Sequence, residues 1–199
     1  MQRLQSVATA ISRAGSIVGG ALLLVAALTI CVDIFLRYAF SRTIGGADDL
    51  SGYALAIASA WGFSAALLSR SHIRIDTVYA RVNSRIARAL LDLLSLACML
   101  LFGALLAWHG WGVAQLSYVS NSHSQSAIEM PLVIPQAVWF AGLAFFIAVA
   151  LLLLARALVA LRKAQLDELF GLIGSKSSLA EAKEEIGAVE HAFEAERKP

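Results

Sequence analysis

Apolar and polar positions along this chain fall into long blocks, not short alternating periods. Four blocks are long and apolar enough to cross a bilayer core about 30 Å thick, which takes about 20 helical residues. The first runs from about 14 to 36 and is broken only by Asp33. The second, 50 to 69, has no charge. The third, about 90 to 111, has Asp92 near its start and His109 near its end, and the fourth runs from 135 to 155. The pattern predicts an all-α integral membrane protein with four transmembrane helices.

Shorter periodicities flank these blocks. Leu4, Val7, Ala8 and Ile11 recur at i, i+3, i+4, i+7, which predicts an amphipathic segment lying on the membrane surface over residues 1–13. Leu166, Leu169, Phe170 and Ile173 repeat that spacing up to Gly174. Ser178-Leu-Ala-Glu181 has the form of a capping box and opens a polar helix to about residue 196. Its narrow apolar stripe predicts only weak order in water. The expected organisation is a surface segment at 1–13, a four-helix membrane domain at 14–163 and a charged helical tail at 164–199. The first block is too long for a signal-peptide h-region and ALTICVD offers no A-x-A site, so it reads as a retained anchor.

Composition agrees with the blocks. The chain is 59% hydrophobic and 15% charged, where a soluble domain carries about a quarter charged residues. A net charge of +2 gives no reason to expect nucleic acid as a partner. Cys31 and Cys98 fall inside apolar blocks without CxxC or Cys/His spacing, which suits buried thiols better than a disulfide or metal site.

Lysine and arginine set the expected orientation. The N-terminus (Arg3, Arg13), the loop between spans two and three (Arg70, Arg74, Arg81, Arg85, Arg88) and the end of span four (Arg156, Arg162, Lys163) together hold ten. The opposite loops hold only Arg37 and Arg42. Basic short loops stay cytoplasmic, so both termini are expected inside. Trp108, Trp111 and Trp139 then form an aromatic belt at the outer boundary, and Trp61, mid-span, reads as a packing residue.

The remaining polar residues read as structural. Asp33 precedes Arg37 by four, and Asp92 follows Arg88 by four, the spacing of helical ion pairs. Asp48 and Asp49 open span two, where acidic groups cap free amides and complement the helix dipole. Gly52, Ala56, Ala60 and Ser64 form a small-residue stripe that predicts close helix contact. Pro131 and Pro135 stand at the entry to span four, where proline is tolerated. A bis-histidine haem needs histidines facing each other inside the spans. Only His109 lies in one, while His72 and His123 are in loops and His191 in the tail. The alternative of an anchor subunit in a haem or quinone redox complex would have to rest on His109 and His72. No phosphate loop, nucleophile elbow or metal-ligand spacing occurs, so neither a catalytic site nor a cofactor is expected.

Taken together these elements resemble the DctQ-like small membrane subunit of tripartite ATP-independent periplasmic (TRAP) transporters. The resemblance covers roughly residues 12 to 163. It is carried by Asp48-Asp49 opening span two and Trp61-Gly62 within it, by Arg70-Ser-His72-Ile-Arg74-Ile-Asp76 and the arginines after it, and by Met130-Pro131-Leu-Val-Ile-Pro135 leading into a span with Gly142. Many relatives have glutamate where this chain has aspartate at the start of span two, and the tail beyond Lys163 is not covered. The resemblance implies a small permease subunit in the bacterial inner membrane. Its partners would be a large sodium-coupled multi-span permease subunit and a periplasmic binding protein for organic anions, such as carboxylates or sialic acid-like acids. It also implies that this chain holds no substrate or ion site. From the residues themselves, Asp48, Asp49, Gly52, Ala56, Ala60, Trp61, Pro131 and Pro135 are expected to serve packing or partner contact, and Arg70, His72, Arg74, Asp76, Arg81, Arg85 and Arg88 to fix topology and membrane anchoring.

Overall fold

The computed structural model describes residues 2–70, 82, 84–174 and 186. The polar helix expected after residue 178 lies outside the described residues, apart from residue 186. Five helices follow in order: α1 (Gln2–Phe40), α2 (Ala47–Ser69), α3 (Arg85–Val119), α4 (Val133–Arg162) and α5 (Leu166–Ile173). Helices α1 to α4 are each long and apolar enough to cross a membrane.

The helices outrun the apolar blocks. At 1.5 Å per residue, α1 with 39 residues is about 58 Å long and α3 with 35 residues about 52 Å. Both therefore continue well past a bilayer core of about 30 Å. The surface segment expected at 1–13 is not a separate element, because α1 passes through it unbroken. No glycine or proline stands between Gln2 and Ala14 to interrupt the backbone ladder. The face turned to the neighbouring helices carries Ala8 and Ser12, which are buried, while Val7 and Ile11 are exposed.

Each helix end has an identifiable stop. Ser41 (φ 52), Gly45 (φ 66) and Gly46 (φ 138) turn the chain between α1 and α2. Arg70 takes the left-handed conformation at the C-cap of α2 and returns its N–H to the carbonyls of Ala66 and Leu67. Ser84 caps α3, its Oγ accepting from the Ala87 N–H at 3.4 Å. Pro135, buried, is the third residue of α4, where a backbone N–H would have no helical partner.

The four long helices stand in a row, in the order α1, α2, α4, α3. Helix α1 packs on α2, α2 on α4, and α4 on α3. Burial is uneven along the row. Helix α4 has the highest mean hydropathy, 2.7, and is the most enclosed, with a third of its apolar window buried against 17% for α1. Water is not what drives apolar surfaces together inside lipid, so close approach of backbones must hold such a row. Three contacts supply it. Gly19 lies against the Ala58 backbone, where an added Cβ would come within 2.8 Å of Cα. Gly103 receives the ring of Phe146, and Gly110 receives that of Trp139. One face of the row has an apolar groove of about 340 Å³ between α2 and α3, lined by Phe63, Met99, Phe102, Leu143 and Phe146.

Candidate functional site

Trp61 is the centre of the packing. Its ring lies between Gly15 of α1 and Gly142 of α4: a Cβ on Gly15 would approach Cε3 to 2.4 Å, and one on Gly142 would approach Cδ1 to 2.7 Å. The indole also stacks on Phe145, with centroids 5.9 Å apart, and its Nε1–H donates to the Val138 carbonyl at 3.2 Å. An amphipathic ring with one polar edge suits this position, since a buried indole N–H needs an acceptor. One side chain of α2 thus locks both neighbours. The sequence marks Trp61 as a packing residue, and the two glycines that receive it complete that reading.

The small-residue stripe behind it divides. Ala60 is 1% exposed, and Ser64 is fully buried with its Oγ 3.2 Å from the Oγ of Ser12, joining α2 to α1. Gly52 has open space around it, and Ala56 is exposed beside a gap that Pro135 and Trp139 also line. The stripe is therefore not one contact face, and Gly19 of α1 meets Ala58, off the stripe.

The end of the row bearing the α1–α2 and α3–α4 connections is held by two carboxylates. Asp33, buried, pairs with Arg37 at 2.8 Å as its spacing predicts, and also accepts from Thr43 Oγ1 at 2.7 Å and the Ile44 N–H at 2.6 Å. It thereby ties the 41–46 turn to α1. Capping of α2 by Asp48 or Asp49 is not observed. Gly46 occupies the N-cap with no side-chain bond, while both aspartates stand in the first turn, where they complement the dipole. Asp48 is exposed. Asp49 instead accepts from Ser124 Oγ, which also contacts Ser126 Oγ. Gly46 meets Ile128 at the same place, so the polar 120–132 connection folds onto the start of α2. Pro131 lies in a short antiparallel bridge to His123, closing that loop. Ser124 and Ser126 were not singled out by the sequence; they sit among several serines with nothing to distinguish them.

At the opposite end the arginines have protein partners. Arg70 Nη1 donates to the Phe170 carbonyl at 3.2 Å. Arg85 pairs with Asp167 and lies 5.8 Å from the Phe170 ring centroid, a cation–π distance. Arg88 Nε donates to the Val82 carbonyl at 2.6 Å. Arg156 donates to Gln5 Oε1 and approaches Glu168 at 4.0 Å. Helix α5 is the target of Arg70, Arg85 and Arg156, and its Leu169 and Ile173 are buried against α3 and α4. It caps the end of the row and leaves a space of only about 10 Å³ beside Leu67 and Leu153. Because Gln5 and Arg156 meet, the start of α1 and the end of α4 lie on the same side. His72, Arg74, Asp76 and Arg81 lie outside the described residues.

His109 is exposed and His123 sits in the loop with its Nδ1 2.7 Å from the Asn121 carbonyl. Among the described residues, no three His, Cys, Asp or Glu side chains converge as metal ligands would. Cys31 and Cys98, expected buried, are both exposed, Cys98 in the wall of the apolar groove.

An all-helical row of four membrane-spanning helices, braced at both ends, defines a membrane protein whose ordered polar groups join helix to helix. A family model for the DctQ component of tripartite ATP-independent periplasmic transporters matches residues 26–160. The chain belongs to that family and is a small permease component of a TRAP transporter. Comparisons with curated proteins and with solved structures give no match.

Proposed function

We propose that this chain is the fixed membrane scaffold of its transporter, holding the large permease subunit in the bacterial inner membrane with both its own termini in the cytoplasm. The partners in that reading are the large multi-span permease and a periplasmic binding protein. The cargo is an organic anion, such as a carboxylate or a sialic acid-like acid, taken up with sodium. The chain itself has no reaction to catalyse.

The observation that carries the reading is the row. A closed bundle would hide its polar contacts and apolar surface from partners, whereas a row leaves two broad apolar faces for lipid or another membrane protein. The connections within it favour stiffness: Trp61 locks three helices, and carboxylate or arginine contacts hold each end. A permease that moves one domain against another needs such a rigid flank, because an unsupported domain would tilt with its mobile partner. The excess of basic residues at the end bearing α5 favours that end as cytoplasmic.

Reconstitution of the large subunit in proteoliposomes, with and without this chain, tests the scaffold role. Sodium-driven uptake is expected only when both are present. Full uptake by the large subunit alone would refute it.

A further inference from the structure

A second groove lies between α1 and α2 near the end where α2 stops, and it differs in character from the apolar one. Its volume is about 430 Å³. Thr9, Ser12, Arg13 and Ser16 line one wall, on successive turns of α1, while Leu68 and Ser69 stand on the other. Ile17 and Ala65 make the rest of the lining apolar. The site therefore grades from a cation and hydroxyls at the helix ends to hydrocarbon along the span.

One feature of the groove lacks a counterpart among the described residues: Arg13 is exposed and forms no ion pair with any of them. The hydroxyls around it are already engaged, Thr9 donating to the Gln5 carbonyl, Ser69 to that of Ala65, and Ser12 pairing with Ser64. A guanidinium suits the planar, multidentate binding of phosphate oxygens.

We infer that this groove binds one anionic phospholipid, its phosphate at Arg13 and an acyl chain along Ile17, Ala65 and Leu68. The gradation from charge to hydrocarbon matches a lipid and not a soluble phosphate, which would have no use for the apolar lining. Basic pockets between membrane helices recognise anionic lipid in this way. The inference does not depend on which side of the membrane this end occupies.

The test is native mass spectrometry of the full chain released from detergent. Phosphatidylglycerol and phosphatidylcholine of the same acyl chains are supplied in equal amounts. Retention of a single phosphatidylglycerol in preference to phosphatidylcholine is expected. Arg13→Gln should weaken it about fivefold, the contribution of one basic residue at a membrane surface. Ala65→Leu, which adds bulk to the apolar lining without changing charge, should weaken it too. Arg162→Gln, an exposed arginine outside the groove, should not. Equal retention of the two lipids would overturn the inference, as would equal effects of Arg13→Gln and Arg162→Gln. Displacement of the lipid by millimolar glycerol phosphate would also overturn it, marking the groove as a soluble-phosphate site.

Discussion

Replacing Trp61 by alanine removes a side chain of α2 that packs against both α1 and α4. The cost has no hydrophobic transfer part, because lipid is as apolar as the helix interior. What remains is the cavity and the hydrogen bond. Deleting the indole opens a space on the order of 100 Å³, which at about 24 cal/mol per Å³ costs about 2.4 kcal/mol if nothing relaxes. Loss of the Nε1–Val138 hydrogen bond adds about 0.6 kcal/mol. Trp61 is only half-buried, so lipid fills part of the space and the total falls at about 2–3 kcal/mol. That is roughly a hundredfold change in the folding equilibrium. Equilibrium unfolding in mixed micelles, titrated with dodecyl sulfate and followed by far-UV circular dichroism, reads it without relying on the remaining tryptophans. A sharper form uses Gly15→Ala, whose Cβ would come within 2.4 Å of the ring. Over-packing of this kind costs about 1–3 kcal/mol in the native background. With Trp61 already replaced by alanine, most of that cost should vanish, giving a coupling above the ~0.5 kcal/mol typical of independent sites. If Gly15→Ala costs the same in both backgrounds, Trp61 does not sit between these helices and the reasoning fails.

Further predictions follow from the two ends. Leu169→Ala should release α5 from the row at a cost of about 2–4 kcal/mol to its docking, seen as rapid hydrogen exchange over 166–173 while α3 and α4 stay protected. Asp167→Asn, at an exposed pair, should cost no more than about 1 kcal/mol by the same measurement. Asp49→Ala should lower the unfolding temperature more than Asp48→Ala, because only Asp49 holds Ser124; equal effects would leave dipole complementation as the sole role of both. Gln125→Cys, at an exposed position of the 120–132 connection, should react with a membrane-impermeant maleimide from the periplasmic side, and Lys163→Cys should not; the reverse result would invert the proposed orientation.

The four spans were legible because twenty consecutive apolar residues have few other uses. Their true lengths were not, since α1 and α3 continue through residues that mix polar and apolar positions, where hydropathy falls but the backbone ladder persists. The order of the row was also hidden. Contacts such as Trp61 with Gly15 and Gly142 join residues far apart in sequence, and every span offers several glycines and alanines that could serve. The stripe of Gly52, Ala56, Ala60 and Ser64 shows the difficulty, since its regular spacing does not put all four in one interface. The clamping contacts of the arginines were not legible. Arg70 and Arg85 find their partners on an eight-residue helix far downstream, one through a backbone carbonyl that no sequence pattern marks. Asp33 was half-read: spacing gave Arg37, but not the turn residues Thr43 and Ile44 that it also holds.

Affinity purification of the tagged chain from its native membrane in mild detergent, with partners identified by mass spectrometry, tests the central claim most directly. A large multi-span permease recovered in stoichiometric amount is the predicted result. Recovery of the chain alone across a range of gentle detergents, or with a haem-bearing partner, would contradict the scaffold account.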